Sequence, residues 1–222
     1  THNWSETHWR YYLWAYLRHV EMVDAEVARL LEALEDTGQL ANTLVVLTSD
    51  HGEGMGCHGM TRKNTLYDES ARVPLIFSWP KVIQQGLADT QTVVSGLDIM
   101  PTLCDFAGAA IPAGKRPNDT IKGISLRATL ESGGTPGRAF VATEVASNLG
   151  QMIRSSRFKY IAHKDDSSEM LFDMRADPGE TTNLASDPGF ATELGEHRAL
   201  LRDWIGSLDV APNVPAENRW FG

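Results

Sequence analysis

Leu44-Val45-Val46-Leu47-Thr48-Ser49-Asp50-His51-Gly52-Glu53 runs five apolar or β-branched residues directly into an acid, an imidazole and a glycine. A short, continuously apolar run of this kind reads as a strand buried on both faces, the habit of parallel strands. The polar residues then fall just past its carboxyl end, where open α/β sheets place their ligands. Gly52 supplies the backbone freedom to turn there. The continuation Gly56-Cys57-His58-Gly59 and then Lys63 adds a second imidazole between glycines and a cation on the same excursion.

The flanking sequence supports an α/β reading. From Trp9 to Asp36 the apolar residues Leu13, Leu17, Val20, Val23, Val27, Leu30, Leu31 and Leu34 recur in steps of three and four, so an amphipathic helix is expected, with Gly38 as its stop and Glu21, Asp24 and Glu26 on its wet side. Helix, short loop and apolar strand make half of a parallel crossover unit. Residues 52–71 read as an ordered functional loop between core strands. A second strand is expected at Val73–Trp79, with Pro74 tolerated at its start, and a third at Gln91–Ser95. Asp98 reads as the N-cap of a helix with Pro101 in its first turn, Gly108 as its stop, and Ile99, Leu103 and Phe106 packed inward.

After Gly133-Gly134-Thr135-Pro136-Gly137 the texture changes to short β-prone segments near 139–144, 149–154, 157–162 and 169–173, the pattern of an antiparallel meander. Asp177-Pro178-Gly179-Glu180 is a turn. A last amphipathic helix carries Leu194, Leu200, Leu201, Trp204, Ile205 and Leu208, and an extended tail is expected from Pro212. This organisation predicts residues 1–135 as an α/β core and residues 136–222 as a small antiparallel sheet with a C-terminal helix.

Composition narrows the function classes. With 222 residues and a formal net charge of -9, the chain has room for a core and is a poor candidate for a nucleic-acid surface. No apolar run approaches a membrane span. Cys57 and Cys104 are too few for a disulfide framework. The opening Thr1-His2-Asn3-Trp4 has no secretory-leader pattern and no Met, so a processed chain or a piece of a longer one is expected.

Asp50 offers a hard oxygen and His51 a nitrogen, and both can bind a divalent metal once the chain turns. Alone, Asp-His-Gly reads equally as an acid capping a local turn beside an edge histidine. A metal and Lys63 near one strand end would make a pocket for a tetrahedral anion; a solvated surface position is the ordinary alternative for Lys63.

The ordered set Thr48-Ser49-Asp50-His51-Gly52-Glu53, Gly56-Cys57-His58-Gly59, Lys63 and Tyr67-Asp68-Glu69-Ser70-Ala71-Arg72-Val73-Pro74 resembles the sulfatase family of the alkaline phosphatase superfamily. The likeness continues at Asp98-Ile99-Met100-Pro101-Thr102, Lys159-Tyr160, Leu171-Phe172-Asp173-Met174 and Asp177–Leu184. The resemblance implies the C-terminal part of an alkaline-phosphatase-like mixed sheet flanked by helices. It implies that Asp50 and His51 are metal ligands, the metal usually being calcium, with manganese or magnesium as alternatives. It further implies that Lys63 contacts sulfate, that His58 is a pocket histidine, and that Arg72 has a structural hydrogen-bonding role. His2 and His8 read as surface histidines rather than as a leaving-group acid.

Two features of that family are absent. No Cys-x-Pro-x-Arg, the source of its formylglycine nucleophile, surrounds Cys57 or Cys104, and the family's N-terminal Asp pair is missing. The resemblance therefore implies part of a sulfuric ester hydrolase acting on a sulfated small molecule or carbohydrate. This chain should be inactive by itself, and should self-associate or pair with an N-terminal half. A phosphonate or phosphate ester hydrolase of the same superfamily, and a non-catalytic sulfatase-like binding module, are the alternatives.

Overall fold

The computed structural model describes residues 3–90, 92–112, 121–134, 137–145, 150–163 and 166–208. The chain divides into two compact units, Thr1–Gly86 and Leu87–Gly222. The boundary expected at 135/136 and the tail expected from Pro212 lie outside the described residues.

The first unit begins with α1 (Glu6–Asp36). Ser5 caps it, and a reciprocal bond with His8 completes a capping box. His8 is thus spent on the helix start. His2 lies outside the described residues. Gly38 follows the helix with φ +68°, a left-handed stop that costs glycine little. The wet side is as expected: Glu21, Asp24 and Glu26 are exposed. The apolar side is not buried, however; Leu17, Val20, Val23 and Leu30 are exposed and the helix has no fully buried residue.

β1 (Val45–Thr48) and β2 (Leu75–Ser78) form a two-stranded sheet. The expectation of a parallel strand buried on both faces is corrected: the pair is antiparallel, with Val45 opposite Ser78 and Thr48 opposite Leu75. Leu47 is 39 % exposed and Ile76 52 %. The physical reason lies in the connection. Instead of crossing over through a long helix, the chain doubles back, and Gly52 N–H donates to Ser70 O (2.8 Å), Gly54 N–H to Arg62 O (3.0 Å) and Gly56 N–H to Met60 O (2.9 Å). The only helices in this excursion are a 3-10 turn at Cys57–Gly59 and the single-turn α2 (Asp68–Ala71). Trp79 Nε1–H donates to Ala41 O (3.1 Å), tying the end of β2 to the loop before β1.

In the second unit the strand expected at 91–95 does not form. Residues 92–95 make no ladder, and Gln91 is outside the described residues. Ser95 instead starts a 3-10 turn (Gly96–Asp98) that leads into α3 (Ile99–Ala107), which stops at Gly108 with φ +62°. Asp98 makes no side-chain cap to α3. Its carboxylate turns away and accepts from Ser95 N–H (2.8 Å) and Ile124 N–H (2.9 Å) and from both terminal nitrogens of Arg138 (2.7 and 2.6 Å). The fully buried residues of α3 are Pro101 and Thr102, whereas Leu103 is exposed. Thr102 Oγ1–H donates to Asp98 O (2.6 Å), and Thr102 Oγ1 accepts from Leu126 N–H (2.9 Å), just ahead of α4 (Arg127–Ser132). Polar fastening, not an apolar stripe, holds this segment.

The expected meander is a four-stranded antiparallel sheet in sequence order: β3 (Phe140–Val145), β4 (Gly150–Ser155), β5 (Phe158–His163) and β6 (Asp166–Asp173). α5 (Ala191–Gly206) lays Leu194 and Leu201 against Ile153, Phe158, Tyr160, Ala162 and Leu171 to form the principal core. The turn at Asp177 is built by its carboxylate, which accepts from Thr181 and Thr182 N–H (2.8 Å each). This turn brings Glu180 to Lys159 (2.8 Å), a fully buried ion pair under the sheet.

At one edge of this core, Tyr160 O–H donates to Glu169, and Arg198 from α5 grips both oxygens of Glu169. Hydrogen bonding from Arg198 is the main cause that holds the Glu169 carboxyl below the usual glutamate range, against a smaller opposing effect of burial. A depressed folded-state value stabilises the fold above the unfolded pKa, ~4.3 for glutamate, and that stability is lost as the pH falls through the folded value. The urea midpoint is therefore expected to drop as the medium is acidified past the ordinary glutamate range. Glu169→Gln should be less stable at neutral pH and show a shallower acid-side decline.

Candidate functional site

The first unit presents the polar end of β1 and the doubled-back loop beyond it. Ser49 Oγ–H donates to His51 O (2.8 Å), and His51 N–H donates to Asp50 Oδ1 (3.0 Å), which fixes the turn. The His51 ring then folds over so that Nδ1 meets Gly52 O at 2.7 Å. A carbonyl can only accept, so Nδ1 carries the proton and, in the neutral ring, Nε2 keeps its lone pair. Nε2 lies 3.3 Å from Asp50 Oδ2. A hard oxygen and a lone-pair nitrogen thus converge, with the second ring nitrogen tied to a backbone carbonyl in the manner that orients metal-binding imidazoles.

The Asp50 side chain is 82 % exposed and that of His51 35 %, so both can reach a ligand. Burial disfavours the charged form of Asp50, yet the His51 N–H, the His51 ring and Lys63 together outweigh it and hold the carboxyl below the usual aspartate range. Lys63, itself exposed, is close enough to act on that carboxylate. Gly52 is required by close approach: a Cβ there would stand 1.9 Å from Glu69 O.

His58 is placed differently. Its backbone is left-handed (φ +51°), and its ring stacks on Tyr67 with centroids 3.8 Å apart and planes 8° from parallel. His58 Nε2 is 3.9 Å from Glu69 Oε2. Burial, and then the Glu69 carboxylate, push the Cys57 thiol up, away from thiolate reactivity. The structure therefore brings His51 and Lys63 each within electrostatic reach of Asp50 and sets His58 against Tyr67 and Glu69. Arg72 does not take the expected structural role through its side chain, which is largely exposed and only 3.9 Å from Asp68. Among the described residues no group of three or more His, Cys, Asp or Glu is arranged to hold a metal.

Sequence reasoning missed the contacts of Trp9 and Tyr12 from α1. Tyr12 O–H donates to Glu53 Oε1, and the same oxygen accepts from Arg62 N–H. Trp9 covers Gly56 and packs tilted against Trp4 (4.7 Å between centroids) and edge-on to Tyr12 (6.0 Å). The available signal was the aromatic run Trp9-Arg10-Tyr11-Tyr12, which puts Trp9 and Tyr12 on one helix face three residues apart.

A paired oxygen and nitrogen donor with a lysine nearby, past a strand end in an α/β chain, is an arrangement able to meet an anion. The Sulfatase family profile matches residues 2–109, and the profile for N-sulphoglucosamine sulphohydrolase, C-terminal, matches residues 56–202. The Delta 4,5-hexuronate-2-O-sulfatase of Bacteroides thetaiotaomicron is 40 % identical over 212 residues, which is 91 % of this chain and 43 % of that protein. The solved structure of a 2-O GAG sulfatase superposes with a TM-score of 0.81 at 39 % identity, over 93 % of this chain and 45 % of that one. A phosphonate monoester hydrolase from Silicibacter pomeroyi gives a TM-score of 0.72 at 30 % identity, over 84 % of this chain and 39 % of its own. The chain belongs to the sulfatase family, with its alkaline-phosphatase-like fold. It spans less than half the length of these relatives.

Proposed function

We propose that this chain is the C-terminal part of a sulfuric ester hydrolase, acting on a sulfated small molecule or carbohydrate. The observation that carries the reading is the convergence of Asp50 Oδ2 and His51 Nε2 at 3.3 Å, with Nδ1–H held by Gly52 O. These two donors fit part of a divalent-cation site. Calcium is the proposed metal, and manganese or magnesium are outcomes the test distinguishes. When bound, the cation supplies Lewis-acid polarisation of ester oxygens. The chain's own work is to present Asp50 and His51 as ligands, to neutralise sulfate oxygens with Lys63, and to line the pocket with His58. The nucleophile, a formylglycine in this reading, comes from sequence outside these residues.

The exposed apolar residues of α1 and of β1 and β2 fit the same reading. Leu17, Val20, Val23 and Leu30 on α1, and Leu47 and Ile76 on the β1–β2 pair, are exposed apolar residues that the remaining part of the enzyme would cover. The 30 % identity to a phosphonate monoester hydrolase supports a second reading, in which the ester is a phosphonate.

The deciding experiment uses the full-length polypeptide. An aryl sulfate and an aryl methylphosphonate are offered side by side, before and after chelation and with calcium, manganese or magnesium restored. Sulfate release is expected to exceed phosphonate cleavage, and chelation to lower it by about 100-fold or more, as loss of a Lewis acid should. The reading is sunk by a full-length sequence with neither Cys-x-Pro-x-Arg nor Ser-x-Pro-x-Arg upstream and no turnover of either ester.

A further inference from the structure

Three residues other than glycine adopt left-handed backbone within eight positions of the loop: Met55 (φ +54°), His58 (φ +51°) and Arg62 (φ +73°). Such conformations are strained for residues that carry a Cβ and persist only where the surroundings over-determine them. Arg62 immediately precedes Lys63, so whatever holds the Arg62 backbone aims the lysine.

Arg62 O accepts from Gly54 N–H (3.0 Å), and Arg62 N–H donates to Glu53 Oε1, so both backbone polar groups of this residue are bound to the opposite limb of the loop. Glu53 in turn is anchored from outside the loop, because its Oε1 also accepts from Tyr12 O–H, contributed by α1. Trp9, one helical turn earlier, lies over the loop's other end, where a Cβ on Gly56 would come within 3.1 Å of its ring. Trp4 and Tyr12 pack around Trp9 and fix its place. The loop carrying Lys63 and His58 is thus held at two points by the first two turns of one long helix. Burial, reinforced by Glu53, pushes the Tyr12 hydroxyl up to about 12, so it remains a donor throughout the working range.

We infer that Glu53 and Tyr12 are positioning residues for Lys63: together they hold the left-handed backbone at Arg62 that directs the lysine into the anion pocket. The inference rests on Lys63 being the sulfate contact of the proposed hydrolase. It assigns to the carboxylate after the Asp-His-Gly turn a task distinct from metal binding.

The test compares Glu53→Ala, Glu53→Gln, Tyr12→Phe and Lys63→Ala in the full-length polypeptide. It measures inhibition by inorganic sulfate, kcat and KM for an aryl sulfate, bound metal and melting temperature. Glu53→Ala removes the oxygen that both donors share, and a misplacement on the order of 1 Å predicts a loss of about 10- to 100-fold in kcat/KM with a parallel loss of sulfate affinity. Metal content should stay at the wild-type level. Glu53→Gln keeps an acceptor oxygen in place and is expected to recover most of the loss, which a requirement for charge alone would not produce. Tyr12→Phe should move the same two quantities in the same direction by a smaller factor.

The inference is overturned if Glu53→Ala and Tyr12→Phe keep wild-type sulfate affinity and kcat/KM while Lys63→Ala loses both. That outcome leaves the hydrolase reading standing. If Lys63→Ala also changes nothing, the reading of Lys63 fails, and the inference with it. Should Glu53→Ala not fold, Tyr12→Phe decides: wild-type kinetics per folded molecule overturn the inference, and a selective loss of sulfate affinity supports it.

Discussion

Asp98→Ala is expected to destabilise the second unit by about 3–5 kcal/mol, the cost of leaving one member of a buried ion pair without its partner. The Asp98 side chain is wholly inaccessible and that of Arg138 nearly so, and the two are joined by two parallel bonds of 2.6 and 2.7 Å. The carboxylate also satisfies the N–H groups of Ser95 and Ile124. Alanine would strand the guanidinium and two backbone donors at once, and each stranded donor carries a desolvation penalty of about 1–3 kcal/mol. Asp98→Asn should cost less, since its amide oxygen still serves one donor. Urea unfolding followed by circular dichroism measures both. Because Asp98, Ile124 and Arg138 lie far apart in sequence, the loss should also free the segment before α4, seen as faster amide exchange at Ile124 and Leu126. An Asp98→Ala midpoint within error of the wild type would mean that the pair contributes nothing net.

The same residue shows what could be read from the sequence and what could not. Asp98 before Pro101 and Gly108 marks a helix start and stop, and α3 lies there. Its role as a hub depends on Arg138, forty positions away, and no local pattern carries that. The four-stranded sheet was legible because its strands are short, β-prone and separated by turn residues; their order follows directly from chain order. The β1–β2 pair was misread in direction. A continuous apolar run marks burial in a parallel sheet only when a crossover follows, and the fold of the connecting loop, set by glycine N–H groups and backbone carbonyls, decides otherwise. Val93 and Val94 carried strand propensity, but Ser95 commits this stretch to a 3-10 start and the ladder never forms. Within the candidate site, adjacent residues were legible: Asp50, His51 and Gly52 do converge. The links from Tyr12 to Glu53 and from Glu53 to Arg62 N–H join separate stretches of chain through side chains of ordinary type, and they emerge only in three dimensions.

Lys63→Ala in the full-length polypeptide is expected to lower kcat/KM by about 10²–10³-fold, the usual effect of removing one preorganised charge from a developing anion. Asp50→Ala should lower it at least as far, by a different route. Lys63 is exposed and near enough to act on the Asp50 carboxylate, so in the proposed site one cation would serve two ends, adding to the His51 contacts that favour ionised Asp50 and meeting sulfate oxygens. Removing the lysine should leave bound metal unchanged or slightly reduced while weakening inhibition by inorganic sulfate. Removing Asp50 should deplete the metal, and excess calcium or manganese should restore part of the activity, because His51 Nε2 remains directed to the same place by the Nδ1 bond to Gly52 O. The two variants are thus separable by metal analysis alone, without reference to rate. The isolated 222-residue chain, holding two of the ligands, should bind calcium only weakly, with a Kd on the order of 10⁻⁴ M or above. Micromolar binding by that chain, abolished by Asp50→Ala, would contradict a site shared with another part of the polypeptide. An Asp50→Ala enzyme that loses turnover at full metal content would remove Asp50 from the ligand set.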